Sequence, residues 1–162
     1  KMNNLHHSWF AVLRQPAGAS ECDEVAGYLR GLNLDATTPI RAVQSWQEAE
    51  QLTRQPAGLW WAREETERKR LEAQVGLRLS DADLVALTDS LHGAAAVAAA
   101  RAGCSDPGLI KAAAGSAFYA AYQYRLACAA NSAEDHPFMR KYALFAAGRW
   151  PLGLIDAHYA LF

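Results

Sequence analysis

Residues 80–131 read SDADLVALTDSLHGAAAVAAARAGCSDPGLIKAAAGSAFYAAYQYRLACAAN and decide the fold. Apolar side chains recur every three or four residues in two segments, which predicts α-helices over residues 80–103 and 106–131. Ser80 and Asp83 form a capping-box pattern at the first start, and Gly103 is a typical helix stop. Asp106 followed by Pro107 is a start signal for the second helix. The stretch therefore predicts an antiparallel helical hairpin.

The side chains of this helix pair are unusually small. Alanine occupies positions 94–96 and 98–100 of the first helix, and Ala113, Ala117 and Ala121 repeat every fourth residue in the second. Such surfaces let two helix axes approach to about 8 Å. We expect a mainly α protein, a helical bundle around the Ala-rich pair, with short strands near the N- and C-termini.

The flanking sequence predicts one globular domain over residues 1–162. Residues 1–56 form a mixed α/β subregion, in which 8–13 and 40–43 are predicted strands and 20–32 and 45–55 predicted helices. Residues 57–162 are mainly helical, with helices over 59–75 and from about 132 to Gly148. Pro151 and Gly153 oppose a helix in the last segment, so 150–162 is predicted as a hairpin that turns at Asp156–Ala157 and pairs with residues 9–13.

Composition excludes several function classes. Apolar residues make up 51% and charged residues 20%, which indicates a globular chain, and the net charge of −1 gives no electrostatic basis for binding nucleic acid or an anionic membrane. Polar residues interrupt both Ala-rich helices, so neither is a convincing membrane span. Cys22, Cys104 and Cys128 form no CxxC pair, which favours a reducing cytosol without structural zinc. No signal peptide or cofactor-binding motif is found, and the heavy use of Ala and Arg would fit a bacterial genome.

Asp89 and His92 lie three residues apart and therefore share a helix face. An acid and a histidine at this spacing could ligate a metal or orient an imidazole, but the chain has only one such unit. We therefore predict no metal site and interpret His92 as a boundary residue with local hydrogen bonds. Cys104, just before a helix start, could be a reactive thiol, but a plain small residue is the simpler interpretation.

Two polar groups are further candidates. Tyr122 and Arg125, with neighbouring aromatic residues of the second Ala-rich helix, could line a pocket or simply pack in the core. His136, Arg140 and Arg149, together with Lys141, could bind a phosphate, a carboxylate or an acidic partner, or could form a solvated basic face. The acid–base pairs Glu64–Arg68 and Glu65–Lys69 predict a solvated face on the helix over 59–75.

Trp60 and Trp61 are the strongest sign of an interaction surface, because at least one of two adjacent helical residues should be exposed. The first hypothesis is a small cytosolic protein-interaction or binding module that can self-associate through exposed Trp and the basic C-terminal helix. No catalytic constellation is found, so the sequence favours this class over an enzyme and leaves the enzyme question open. The alternative is a small-ligand-binding protein or enzyme with a pocket beside the Ala-rich pair. Its predicted polar groups are Asp89, His92, Tyr122, Arg125 and His136.

Overall fold

The computed structural model describes residues 8–76 and 81–162, except for the side chains at positions 81, 83, 84 and 87. The fold is mainly α with a small sheet, which confirms the predicted class. In chain order the elements are α1 (Ala19–Gly31), β1 (Ile40–Ala42), α2 (Trp46–Thr53), α3 (Leu59–Val75), α4 (Asp81–Arg101), α5 (Pro107–Ala129), α6 (Pro137–Ala146), β2 (Pro151–Ile155) and β3 (His158–Leu161).

The Ala-rich pair is the hairpin of α4 and α5. The Asp106 carboxylate accepts a hydrogen bond from the Leu109 N–H at 2.8 Å, which confirms the predicted start of α5. Gly103 has a φ of 98° in the link, as expected for a helix stop. Ala99 on α4 and Ala117 on α5 are completely buried in the same apolar cluster. The predicted cap at Ser80 lies outside the described residues.

The C-terminal segment is a hairpin, as predicted. β2 and β3 are antiparallel, and the two residues between them, Asp156 and Ala157, have φ values of 51° and 61°. Two consecutive left-handed residues form the type I′ turn that matches the twist of a hairpin. β3 is the central strand, because it also pairs in parallel with β1 through Ile40 and Tyr159.

The strand predicted over residues 8–13 is wrong. Phe10 and Arg14 have φ values of 55° and 69°, and left-handed residues at these positions interrupt an extended ladder. The segment is an irregular loop whose aromatic residues fill the core: the Phe10 ring lies 6.0 Å from both Trp46 and Trp150. The predicted pairing of this segment with the C-terminal hairpin is also wrong, since β1 takes that place.

Gly148 explains how this loop is held. It follows α6 with a φ of 87°, and its carbonyl accepts a hydrogen bond from the Val12 N–H at 3.0 Å. A Cβ at this position would come within 2.8 Å of the Val12 nitrogen. The close approach of the two backbones therefore requires glycine.

Helix starts agree with the sequence at α2, where Ser45 accepts a hydrogen bond from the Glu48 N–H, and the bounds of α3 are those predicted. At α1 the predicted Ser20 cap is wrong. The helix begins at Ala19, and its N-cap is Gly18, two residues before Ser20. The Glu21 carboxylate accepts a hydrogen bond from the Gly18 N–H at 3.1 Å. Among the described helices, none is long and apolar enough to cross a membrane.

Replacement of Ala117 by Leu tests the close α4–α5 seam. Because Ala117 has no exposed surface, the added carbons must overpack the seam and should lower the free energy of unfolding by about 1–3 kcal/mol. The matched control is Ala112→Leu, at an exposed position of the same helix. Urea unfolding of the two variants measures the difference, and equal stabilities would contradict the placement of Ala117.

Candidate functional site

The centre of the site is the carboxylate of Glu64, which has no exposed surface. Glu64 lies four residues after Trp60 and seven before Leu71, so the three side chains share the inner face of α3. Its Oε2 accepts a hydrogen bond from the Tyr28 hydroxyl of α1. Its Oε1 accepts from the Gln123 side-chain amide of α5 at 2.6 Å.

Lys141 of α6 provides the matching charge. The residue is 8% exposed, and its Nζ lies 2.8 Å from Glu64 Oε1 and 3.0 Å from the Gln123 side-chain oxygen. A buried ion pair is stable only when further hydrogen bonds satisfy both charges, and Tyr28 and Gln123 supply them here. The resulting polar cluster, defined as Tyr28, Glu64, Gln123 and Lys141, connects α1, α3, α5 and α6.

A cavity of about 360 Å³ opens beside this polar cluster. Tyr28, Glu64, Lys141 and Tyr159 are all buried and line it together, and this part of the lining is its buried end. The other lining residues come from the end of α2 and the loop after it, from the start of α3, from α5 and α6, and from the segment around β2: they are Leu52, Thr53, Gln55, Pro56, Ala57, Trp60, Trp61, Gly115, Ser116, Tyr119, Phe145, Trp150, Pro151, Leu152, Gly153 and Ile155. The cavity therefore lies beside the Ala-rich pair, on the α5 side.

Aromatic rings form much of the cavity wall. The rings of Trp60 and Trp61 are 5.7 Å apart, and the Trp61 ring is 5.6 Å from that of Tyr119. Trp60 lies directly against β2, since a Cβ at Gly153 would come within 2.5 Å of the indole. The register of β2 also shifts between Pro151 and Gly153, and such an irregularity redirects the strand at this wall.

Two tyrosine hydroxyls at the buried end stay protonated at neutral pH. Burial, and then the nearby Glu64 charge, raise the pKa of Tyr28 and of Tyr159 well above the usual value. The Tyr28 hydroxyl donates a hydrogen bond to the Glu64 carboxylate. Both phenols therefore remain neutral and leave the Glu64–Lys141 pair as the charged part of the lining.

A second polar network lies on the same helices, and it corrects the predicted acid–base pairs. Arg68 contacts Glu65 at 2.7 Å and Glu72 at 2.5 Å, and does not pair with Glu64. Glu65 accepts a hydrogen bond from the Tyr119 hydroxyl, and Glu72 accepts one from Tyr122 at 2.7 Å. Hydrogen bonding to Arg68 holds the pKa of Glu65 below its usual range.

Trp60 and Trp61 are half buried and line the cavity. The expectation that at least one of them is exposed is wrong, because the β2 segment covers Trp60 and Tyr119 lies beside Trp61. The exposed large apolar residue at this end of α3 is Leu59.

The predicted basic face does not form. Arg149 is 1% exposed, and its Nη2 donates to the Gln15 carbonyl at 2.5 Å. Arg140 is half buried, 3.4 Å from Glu24. Arg140 and Lys141 are on α6, Arg149 follows it, and all three side chains bind other parts of the chain.

The remaining predicted residues do not converge on the cavity. His136 caps α6, where its Nδ1 accepts from the Phe138 N–H and its Nε2 lies 2.7 Å from Glu67. Asp89 is exposed on α4, and His92 and Arg125 are half buried on α4 and α5, but none of them lines the cavity. Tyr122 is bound to Glu72. Burial raises the pKa of the Cys104 thiol, which opposes the reactive-thiol interpretation.

Sequence reasoning missed Glu64 and Lys141, although a signal was present. Glu64 stands at helical spacing from Trp60 and Leu71, and Lys141 stands three residues after Phe138 and four before Phe145. Each charge therefore belongs to the apolar face of its helix. Two opposite charges on inward faces indicate a buried pair more than a solvated surface.

Removing one charge of the polar cluster should destabilise the fold strongly. We expect Lys141→Met to lower the free energy of unfolding by about 3–5 kcal/mol, because it leaves the Glu64 carboxylate buried and unpaired. Glu64→Gln should also destabilise, and the double variant should lose less than the sum of the two single losses. Denaturant unfolding measures all three. Lys111→Met, at an exposed position of α5, is the matched control, and equal stability of Lys141→Met and Lys111→Met would rule out the pair.

The raised pKa values of the tyrosines predict that the free energy of unfolding falls at alkaline pH. All six have raised pKa values, chiefly through burial or, for Tyr124, through a hydrogen bond with Cys128; that of Tyr122 is about 12. A raised folded-state pKa gives stability that is complete below the unfolded value of about 10 and is lost as the pH rises through the folded value.

Phenolate absorbance and circular dichroism, followed together through this range, should therefore change together as the protein unfolds. Tyr122→Phe should make the loss of stability with pH less steep. Phenolate that forms near pH 10 with the helical signal intact would contradict the burial of these hydroxyls.

Comparisons of the chain with known protein families, with curated proteins and with solved structures give no match.

Proposed function

We propose that this chain is a small-ligand-binding protein whose ligand occupies the cavity beside α5. The observation that carries the proposal is the cavity itself: at about 360 Å³ it falls within the range of small-molecule sites, and it extends to a buried ion pair. Apolar and aromatic walls around a few convergent polar groups are the usual composition of such sites.

A packing defect is a poor explanation for this space. Protein interiors contain few voids larger than one water molecule, and 360 Å³ corresponds to the liquid volume of about twelve waters.

The chemistry of the lining favours binding over catalysis. Glu64 and Lys141 neutralise each other at 2.8 Å, and Tyr28 is committed to Glu64. A general base or nucleophile needs a free lone pair facing its substrate. Groups that already satisfy each other are better suited to hold and orient a ligand.

We propose that the protein is cytosolic. The support is that Cys22, Cys104 and Cys128 are all unpaired and that two of them are exposed, which suits a reducing compartment. Self-association through Trp60, Trp61 and the C-terminal helix stays a prediction. Its basis in exposed indoles is weaker than the sequence suggests, because both indoles are half buried.

Filling the cavity from Gly115 tests the proposal. Gly115 lies within α5 and lines the cavity, and a Cβ there meets nothing within 4 Å, so Gly115→Leu should extend into the open space without disturbing the helix. We expect it to weaken binding of naphthalene-sized aromatic probes by about tenfold or more, measured by quenching of tryptophan fluorescence.

Gly93→Leu is the matched control. Gly93 is also a mid-helix glycine with nothing within 4 Å of a built Cβ, but it is exposed on α4 and outside the cavity. This variant should bind the probes as the parent protein does. Failure of neutral, anionic and cationic probes alike to bind the parent protein, or equal binding by both variants, would overturn the proposed function.

A further inference from the structure

The geometry points to a ligand class for the proposed site: neutral, planar aromatic molecules that carry one carbonyl-type acceptor, with the acceptor bound by Lys141 at the buried end. This inference rests on the proposed function. Three properties of the lining support it: its aromatic side chains, its available hydrogen-bond donors and its charge.

The aromatic lining favours a planar aromatic ligand. The Trp60 and Trp61 rings meet edge to face with centroids 5.7 Å apart, the Trp61 and Tyr119 rings are tilted with centroids 5.6 Å apart, and all three residues line the cavity together with Trp150. Planar ring systems gain from stacked or edge-on contact with aromatic side chains in addition to the area they bury. A flexible aliphatic chain would bury similar area but would lose more conformational freedom on binding.

The buried end has a hydrogen-bond donor to spare. A lysine ammonium has three N–H donors, and Lys141 uses one on Glu64 and one on Gln123. The Lys141 Nζ also lies over the Tyr119 ring, 5.7 Å from its centroid, and both residues line the cavity, so the third N–H has no hydrogen-bond acceptor among the described residues. Tyr159 lines the same end, and within the described part of the chain its hydroxyl makes no hydrogen bond.

Acceptors are scarcer at this end. Glu64 accepts three hydrogen bonds, from Tyr28, Gln123 and Lys141, and a carboxylate offers about four acceptor positions. A ligand that brings an acceptor therefore complements the site better than one that brings a donor.

The charge of the lining selects against ions. Among the described residues that line the cavity, Glu64 and Lys141 are the charged ones, and they cancel each other. A ligand carboxylate on Lys141 would lie close to the Glu64 carboxylate, and a ligand cation would meet the ammonium itself. A carbonyl oxygen accepts from Lys141 without adding a net charge.

Four probes of one shape separate these properties. Acetylnaphthalene is neutral with an acceptor, ethylnaphthalene is neutral without one, naphthoate is an anion, and naphthylmethylammonium is a cation. We expect the parent protein to bind acetylnaphthalene about tenfold or more tightly than ethylnaphthalene, the ratio of one hydrogen bond to a charged donor. Both ions should bind more weakly than acetylnaphthalene. Calorimetric titration measures the four affinities.

Two further measurements locate the acceptor. The carbonyl stretching band of bound acetylnaphthalene should move to lower frequency, as a hydrogen bond to an ammonium requires. Lys141→Met should abolish this shift and the preference over ethylnaphthalene. Because that variant can unfold, Tyr159→Phe provides a milder test: it keeps the ring, and it should lower the preference by roughly threefold if the hydroxyl lies beside the acceptor.

The outcomes separate this inference from the proposed function. If acetylnaphthalene and ethylnaphthalene bind equally, and Gly115→Leu blocks both, the cavity is a ligand site but the inferred ligand class is wrong. Tightest binding of naphthoate or of naphthylmethylammonium would overturn it in favour of an ionic ligand. An unshifted carbonyl band would remove Lys141 as the donor, and absence of binding by all four probes would overturn the site as well.

Discussion

The buried carboxylate of Glu64 is the group on which the arrangement of the helices depends. A charge without contact with water must find donors inside the protein, and Glu64 finds them on α1, α5 and α6. Three helices are therefore held at fixed positions around one residue of α3. The same requirement sets the rotation of α3 about its axis, which turns Trp60 towards β2 and Leu71 towards the core.

The two sides of α5 are held by different forces. Towards α4 it offers Ala113 and Ala117, and the contact is close apolar packing. Towards α3 it offers Tyr119, Tyr122 and Gln123, which bind carboxylates through hydrogen bonds. Hydrogen-bonded side chains keep the directions their partners impose and do not collapse to fill space as alkyl chains can. The cavity lies on this second side because the groups beside it are held in place.

The elements predicted correctly from the sequence were those with strong local signals. The Ala-rich repeat, the Asp106–Pro107 start and the Ser45 cap fix helices through neighbours within four residues, and Pro151 and Gly153 disfavour a helix at the C-terminal hairpin. The loop over residues 8–13 resembled a strand because its aromatic residues are buried by tertiary contacts that no local pattern contains. At the site, the sequence predicts a pocket beside the Ala-rich pair but assigns Trp60 and Trp61 to an interface and Glu64 and Lys141 to solvent. A charged side chain looks solvated until its partner is known, and these partners lie 77 residues apart.

The pairing of β1 with β3 makes the cavity one of the last features to form during folding. Ile40 meets Tyr159 more than one hundred residues later, in a parallel pair, whereas α4 and α5 are joined by a short link. Contacts between distant residues form late because the chain must first close a long loop. Tyr159 and the β2 segment line the cavity, so the space is complete only when this pairing is made. Occupation of the cavity during refolding would thus mark the final ordering of the chain, after the helical hairpin has already formed.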